Sequence, residues 1–317
     1  MKEEFVSEID ESQADIQVLH KPVLVNEVIQ YMNLKPGGVY VDVTFGTGGH
    51  TRAILDAEPT AQVIALDWDG SALDTYGIPL QEIYQDRLRL VWGSFAHLYK
   101  IVKKEKIKQI DGILADFGTS QIQILQQPGF SIYRETDLDM RMSRSHYHVT
   151  AKELINFGEP EKLREIFWQL GEERYAKEIV DLLVQERRKQ SIETTTQLAA
   201  LVVRAVAKNY RQAMRKPIHP ATRVFQALRM YINRELDNIE SFLAASVQLL
   251  SDQGGRLVCI SFHSLEDRIV KSVFREDQEK GLLDVVTKKV VMADKEELAA
   301  NPSCRSARLR AAEIRKK

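Results

Sequence analysis

Val39-Tyr-Val-Asp-Val-Thr-Phe-Gly-Thr-Gly-Gly-His50 is the stretch whose reading decides the fold. Val39, Val41, Val43 and Phe45 supply β-branched and aromatic bulk for a buried strand. Gly46, Gly48 and Gly49 follow where the backbone must turn tightly and admit a ligand. His50 and Thr51 then open a helix, whose first N–H groups point back at the turn. A second apolar run, Val63-Ile-Ala-Leu66, ends at Asp67, nineteen residues past Gly48. An acid at that distance is placed to accept hydrogen bonds from ribose hydroxyls.

The glycines fall as G-x-G-G rather than as the G-x-G-x-x-G of dinucleotide sites. A ligand with a ribose and no pyrophosphate fits this spacing better, and S-adenosylmethionine is the commonest such cofactor. A glycine turn alone could equally be a plain strand-to-helix connection, so the case rests on what accompanies it. Leu88-Arg-Leu-Val-Trp92 reads as a third strand leading to Gly93-Ser-Phe95, and Phe95 either lies against an adenine or anchors its loop. Asp111-Gly-Ile-Leu-Ala-Asp-Phe-Gly118 reads as a fourth strand, apolar until Asp116 at its carboxyl end. Ligands of open α/β sheets bind outside those ends. Asp42, Asp67 and Asp116 all fall there, and each is costly to bury without a partner.

The loop from Gly118 to Ser145 is too long to be a mere connection. From Thr150 to about Leu250 the pattern is helical. On one of these helices Arg204, Lys208, Arg211 and Arg215 recur at spacings of four, three and four. That spacing puts four cations on one face. Between Arg204 and Arg234 there are eight Lys/Arg and no acid. Ion-pair decoration within this stretch is therefore not the explanation, and phosphate contact is favoured. The β pattern returns at Arg256-Leu-Val-Cys-Ile-Ser-Phe262. A helix follows from His263, with Ser264 as the expected N-cap and Asp267 three residues on. Leu283 to Met292 reads as a strand able to pair with Ala307 to Ile314. The fold class expected is α/β, a Rossmann-like sheet interrupted by about a hundred helical residues.

Charge and composition bound the partners. The net charge is −1, so the chain is locally basic and globally neutral, as suits a protein holding a polyanion on one face. Cys259 and Cys304 are its only cysteines, which make neither a disulfide framework nor a metal site. With no apolar run near the ~18 residues of a membrane span, a cytoplasmic protein without a membrane partner is expected. Met1 to Asp15 carries six acids and one Lys, unlike a signal or transit peptide.

With these motifs in hand, the chain closely resembles the MraW/RsmH family, the S-adenosylmethionine-dependent ribosomal RNA small-subunit methyltransferases H. The blocks that carry the match are Asp42–His50, Asp111–Gly118, Leu138-Asp-Met-Arg-Met142, His219-Pro-Ala-Thr-Arg-Val-Phe-Gln-Ala-Leu-Arg229 and Ser261–Lys271, in family order. The resemblance implies a class I methyltransferase domain over 20–145 and 245–317. It also implies an all-helical substrate-recognition insertion over 146–244, with 1–19 a flexible acidic tail. The implied reaction is methylation of N4 of a cytidine in the decoding region of 16S rRNA, within the small ribosomal subunit. Implied cofactor contacts are Gly48, Gly49, His50, Asp67, Phe95, Asp116 and Gln123. Asp116 is also the candidate proton acceptor, with His263 and Asp139 as further pocket candidates.

The chain departs from the family pattern in Gly118-Thr-Ser-Gln-Ile-Gln-Ile-Leu125 and in Trp68, where a basic residue is common. That altered loop keeps open a second reading, a non-catalytic RNA-binding or ribosome-assembly factor on a methyltransferase scaffold. DNA is not an expected substrate, because an acid or Asn followed by Pro-Pro and an aromatic is missing after the fourth strand. The oligomeric state is open, and a homodimer is compatible with the sequence.

Overall fold

Alternation in the quoted stretch becomes a strand buried on both faces. In the computed structural model, which describes residues 21–118, 127–144, 146–210 (208–210 as backbone only) and 219–315, β1 spans Val39–Asp42. Gln123, Arg211, Arg215, the side chain of Lys208 and the tail 1–19 lie outside the described residues. β1 pairs in parallel with β2 (Gln62–Asp67) on one side and β4 (Gly112–Asp116) on the other. β3 (Leu88–Trp92) and β5 (Arg256–Ser261) extend this parallel core. The edge beyond β5 is antiparallel, where β7 (Arg308–Ile314) pairs with both β5 and β6 (Leu283–Val285). The order is β3-β2-β1-β4-β5-β7-β6. The chain leaves β1 towards β3, then resumes on the other side with β4. This reversal places a crevice outside the carboxyl ends of β1 and β4.

Contacts divide the chain into a sheet unit, residues 1–118 and 239–317, and a helical unit, 119–238. In the sheet unit, Tyr40, Val63, Ala65, Leu114 and Val258 face one core, under α1 (Val25–Met32) and α2 (Gly49–Ala57). Val41, Ile64, Leu66, Ile113 and Cys259 face the other. There they meet α4 (Leu98–Lys104) through Leu98 and Val102, α3 (Ile78–Tyr84) lying instead with the first core through Leu80 and Tyr84. Later in the chain α10 (Glu235–Leu249) adds Phe242 and α11 (Ser264–Glu279) adds Val270 and Phe274 to the second core. Burial on both faces is what a parallel sheet between helices requires.

The helical unit closes around its own core. Its helices are α5 (Ala151–Phe157), α6 (Pro160–Gln169), α7 (Ala176–Arg187), α8 (Thr195–Tyr210) and α9 (Thr222–Ile232). Leu154, Phe167, Leu183, Val202 and Leu228 meet there, together with Leu138 and Met140 from the preceding segment. Buried Asn233 ties that segment down. Its Nδ2 donates to the Met140 carbonyl (2.9 Å) and the Arg229 carbonyl (2.8 Å), and its Oδ1 accepts from the Met142 N–H (2.7 Å).

Two local expectations are corrected. The strand expected over 283–292 pairs with β7 only as far as Val285, with a lone bridge later at Val291. The Ala311 carbonyl accepts from both Val286 and Thr287 N–H groups (2.9 and 3.2 Å), a bulge that ends regular pairing. The cap of α11 is His263 rather than Ser264. Glu266, not Asp267, closes the box, because its carboxylate reaches back to the Phe262 and His263 N–H groups (2.8 and 3.3 Å). Asp267 instead forms a two-pronged ion pair with Arg310 of β7 (2.6 and 3.0 Å).

Replacing Asn233 by Ala strands the Met140 carbonyl and the Met142 N–H in the helical core, while the Arg229 carbonyl keeps its bond from the backbone N–H of residue 233. Denaturant unfolding should then show a loss of roughly 2–4 kcal/mol. Amide hydrogen exchange at Met142 should accelerate with it, and a loss below about 0.5 kcal/mol would contradict this role.

Candidate active site

Side-chain alternation brings three acids to one place. Asp42 lies opposite Ala65 of β2 and Leu114 of β4, so Asp67 and Asp116 each stand two residues further along. A two-residue step keeps the side chain on the same face. All three carboxylates therefore project on the face that carries α2, at the switch point.

Two of them build the glycine turn. Asp67 is buried, and its Oδ2 accepts the Gly46 N–H (2.7 Å) while Oδ1 accepts the Asp69 N–H (2.9 Å). Asp42 is 1% exposed and accepts from the Thr51 hydroxyl (2.7 Å) and the Thr44 N–H (3.1 Å). It thereby joins β1 to the first turn of α2. Gly46 and Gly48 have φ of +56° and +79°, in the left-handed region. A Cβ at Gly48 would stand 2.7 Å from the Phe45 ring, and one at Gly49 would stand 2.7 Å from Pro22. Gly48 caps α2 without a side chain.

Asp116 is arranged differently. Its backbone N–H donates to the Thr44 hydroxyl (2.7 Å), which fixes the strand end. Its Oδ2 lies 3.7 Å from Nδ1 of buried His50. Its Oδ1 is buried and has no hydrogen-bond partner among the described residues. Burial raises the pKa of all three acids. Asp67 is pushed up to about 6, against the pull of its two N–H bonds and with help from Asp69 and Asp42. Asp42 is raised by burial too, against the pull of His50 and the two threonines. Asp116 is pushed up to about 7 by burial, with His50 opposing and Asp42 and Glu266 adding to the rise. Clustered acids short of counter-charge favour a cationic or hydrogen-bond-donating ligand.

The other expected residues fall as follows. Nε2 of His50 is 2.8 Å from the Val23 carbonyl, so that side of its ring is engaged inside the protein. Phe95 packs edge-on or tilted against Phe117 and Phe242, with centroids 5.8 Å away in each case, and keeps part of its surface open. It anchors its loop while standing beside β3. Nδ1 of His263 receives the Glu266 N–H (3.3 Å), so that ring serves the helix cap.

In the helical unit Asp139 binds Arg141 through both oxygens (2.6 and 3.0 Å). Burial would raise its pKa, but these bonds and Arg144 hold it below the ordinary value. Asp139 is thus a buttress of its segment. Arg204 pairs with Glu186 of α7 (2.7 Å), so the acid missing from its own stretch comes from a neighbouring helix. Thr51 reads from the sequence only as opening the helix, and Thr44 and the Val23 carbonyl are not singled out there. A threonine at the end of a strand or in the first turn of the next helix is a usable signal, whereas a carbonyl has none.

The sequence profile of the MraW methylase family matches residues 17–315. The "Ribosomal RNA small subunit methyltransferase H" of a Cyanothece species is 46% identical over 303 residues, covering 95% of this chain and 97% of that protein. Its namesake from a Sulfurihydrogenibium species is 42% identical, covering 92% and 98%. Among solved structures, TrmN from Thermus thermophilus aligns with a TM-score of 0.45 at 12% identity, over 96% of this chain and 52% of its own.

The raised pKa of Asp116 makes stability depend on pH. Between about 4 and 7 the folded chain holds a proton on Asp116 that the unfolded chain has lost, so this group's contribution falls as pH rises through that window. Asp116→Asn should therefore stabilise the ligand-free protein at pH 8, by up to roughly 4 kcal/mol, and leave it nearly unchanged at pH 4. Thermal melts at the two pH values measure the difference, and equal shifts at both would contradict the burial argument.

Proposed function

This chain belongs to the MraW methylase family, and on that footing we propose that it transfers a methyl group from S-adenosylmethionine to N4 of a cytidine in the decoding region of 16S rRNA. The observation that carries the reading is the buried, unpartnered Oδ1 of Asp116 beside two further acids at the switch point. S-adenosylmethionine fits this chemistry, since it brings positive charge and N–H donors to a site short of both. Bound there, it supplies a sulfonium methyl group that needs little activation.

The chain's own residues do the rest. Asp67 offers its remaining lone pairs to ribose hydroxyls while its N–H bonds hold the turn still. Gly48, Gly49 and the backbone of His50 line the turn, and the open edge of Phe95 is a surface for adenine. Gln123, which follows β4 in the sequence, completes the set carried over from the family. Asp116 accepts a hydrogen bond from the exocyclic amine, orients it and takes up a proton as the new N–C bond forms. An exocyclic amine within a stacked helix is out of reach, so the target nucleotide is single-stranded or turned out. Lys208, Arg211 and Arg215 supply phosphate contacts. Arg204 contributes less, because Glu186 already answers its charge. The relatives' names support small-subunit rRNA as the substrate class, and the cytoplasm is where that substrate is found.

Tritium transfer from labelled S-adenosylmethionine to small subunits lacking the modification, followed by nucleoside analysis, tests the reading. Label should appear as N4-methylcytidine, and label in any other nucleoside overturns the substrate assignment. Absence of transfer overturns the enzymatic reading in favour of an RNA-binding assembly role. Asp116→Asn should lower kcat by about 10²–10⁴-fold with a much smaller loss of cofactor affinity. Parallel losses would reduce Asp116 to a cofactor ligand.

A further inference from the structure

We propose that His50 is a positioning residue for this reaction, whose imidazole steadies one oxygen of Asp116 and shares a single proton with it. The other oxygen is thereby left for the amine. The inference rests on the methyltransferase reading above and adds a residue role to it.

Geometry at the ring carries the argument. Nε2 lies 2.8 Å from the Val23 carbonyl oxygen. A carbonyl can only accept, so Nε2 must carry the hydrogen. In the neutral ring Nδ1 is then the bare nitrogen, and it is Nδ1 that faces Oδ2 of Asp116 at 3.7 Å. That separation is too long for a hydrogen bond. Such contacts often lie long in ligand-free sites and tighten in the productive complex. Both partners are mounted on fixed elements. His50 sits in the first turn of α2, which Thr51 ties to Asp42, and Asp116 ends β4 with its N–H held by Thr44.

The surroundings leave the two groups to each other. The charged groups that bear on Asp116 are His50 from α2, Asp42 from β1 and Glu266 from α11. Both acids are engaged elsewhere. Asp42 accepts from Thr51 and Thr44, and Glu266 accepts from the N–H groups of Phe262 and His263. Of the three, only His50 can offer Asp116 positive charge.

Proton accounting follows from this arrangement. As the amine's nitrogen bonds to the incoming methyl carbon, the carbon–sulfur bond breaks and its electron pair stays on sulfur. The nitrogen then sheds one proton. Asp116 Oδ1, left bare when the pair's earlier proton was displaced on binding of the cationic cofactor, receives it, while the His50 ring steadies Oδ2. The pair again holds a single proton, and no net charge is created in the buried site.

Two measurements test the pair. In the full-length, ligand-free protein with labelled histidine, long-range nitrogen NMR should show Nε2 protonated throughout. At pH 6, Asp116→Asn should move the His50 Nδ1 resonance towards that of a bare ring nitrogen and leave Nε2 in place. Unmoved ring signals overturn the proposal, whatever the activity. In the methyl-transfer assay, His50→Gln should lower kcat roughly tenfold or more and shift the acid limb of the pH profile, with the KM for S-adenosylmethionine changed less than about twofold. A reduced rate with an unshifted profile also overturns it. Should His50→Gln fail to fold, the Asp116→Asn spectra still decide. A wild-type protein without methyl transfer would sink the functional reading alone, because the NMR arm needs no turnover.

Discussion

Burying carboxylates at the tips of neighbouring strands costs free energy, and the sheet unit is arranged around how that cost is offset. Asp67 recovers part of it from the N–H groups of Gly46 and Asp69, and Asp42 from Thr51 and Thr44. These are the bonds that hold the glycine turn against β2 and seat α2 on β1. The turn's shape is therefore a consequence of acid burial as much as of its glycines. Asp116 has no comparable compensation on Oδ1 among the described residues. A site of this kind has low intrinsic stability when empty and gains from a ligand that brings charge and donors.

The same constraint explains why the chemistry sits where it does. The strand order reverses between β1 and β4, and ligands of such sheets bind outside the carboxyl ends at that point. Strand alternation then places every second residue on the α2 face, so Asp42, Asp67 and Asp116 converge from three strands. The helical unit has its own core and its own buried hydrogen-bond clasp at Asn233, so its framework does not draw on the acid cluster.

Much of this was legible in the sequence, for definite reasons. Parallel strands read as apolar runs because both faces are buried, and acids closing those runs stand out against them. The glycine turn and the helical stretch were equally visible. What escaped was contact between distant segments. The Val23 carbonyl that sets the His50 tautomer carries no side-chain signal. The cap of α11 moved to His263 because Glu266 reaches back to the end of β5, which local propensity does not record. Arg204 looked unpaired because Glu186 lies on another helix. Leu138 and Met140 read as loop residues, yet they complete the helical core. Each miss is a tertiary contact overriding a local pattern.

An acid cluster at the switch point that accepts a cationic adenosyl cofactor must yield a proton to do so. Isothermal titration calorimetry of the ligand-free protein with S-adenosylmethionine at pH 6, in two buffers of different ionisation enthalpy, addresses it directly. Binding heat should be present and should differ between the buffers by an amount equal to release of roughly one proton, because Asp116 is pushed up to about 7 when the site is empty. No heat, or heat identical in the two buffers, would contradict the account.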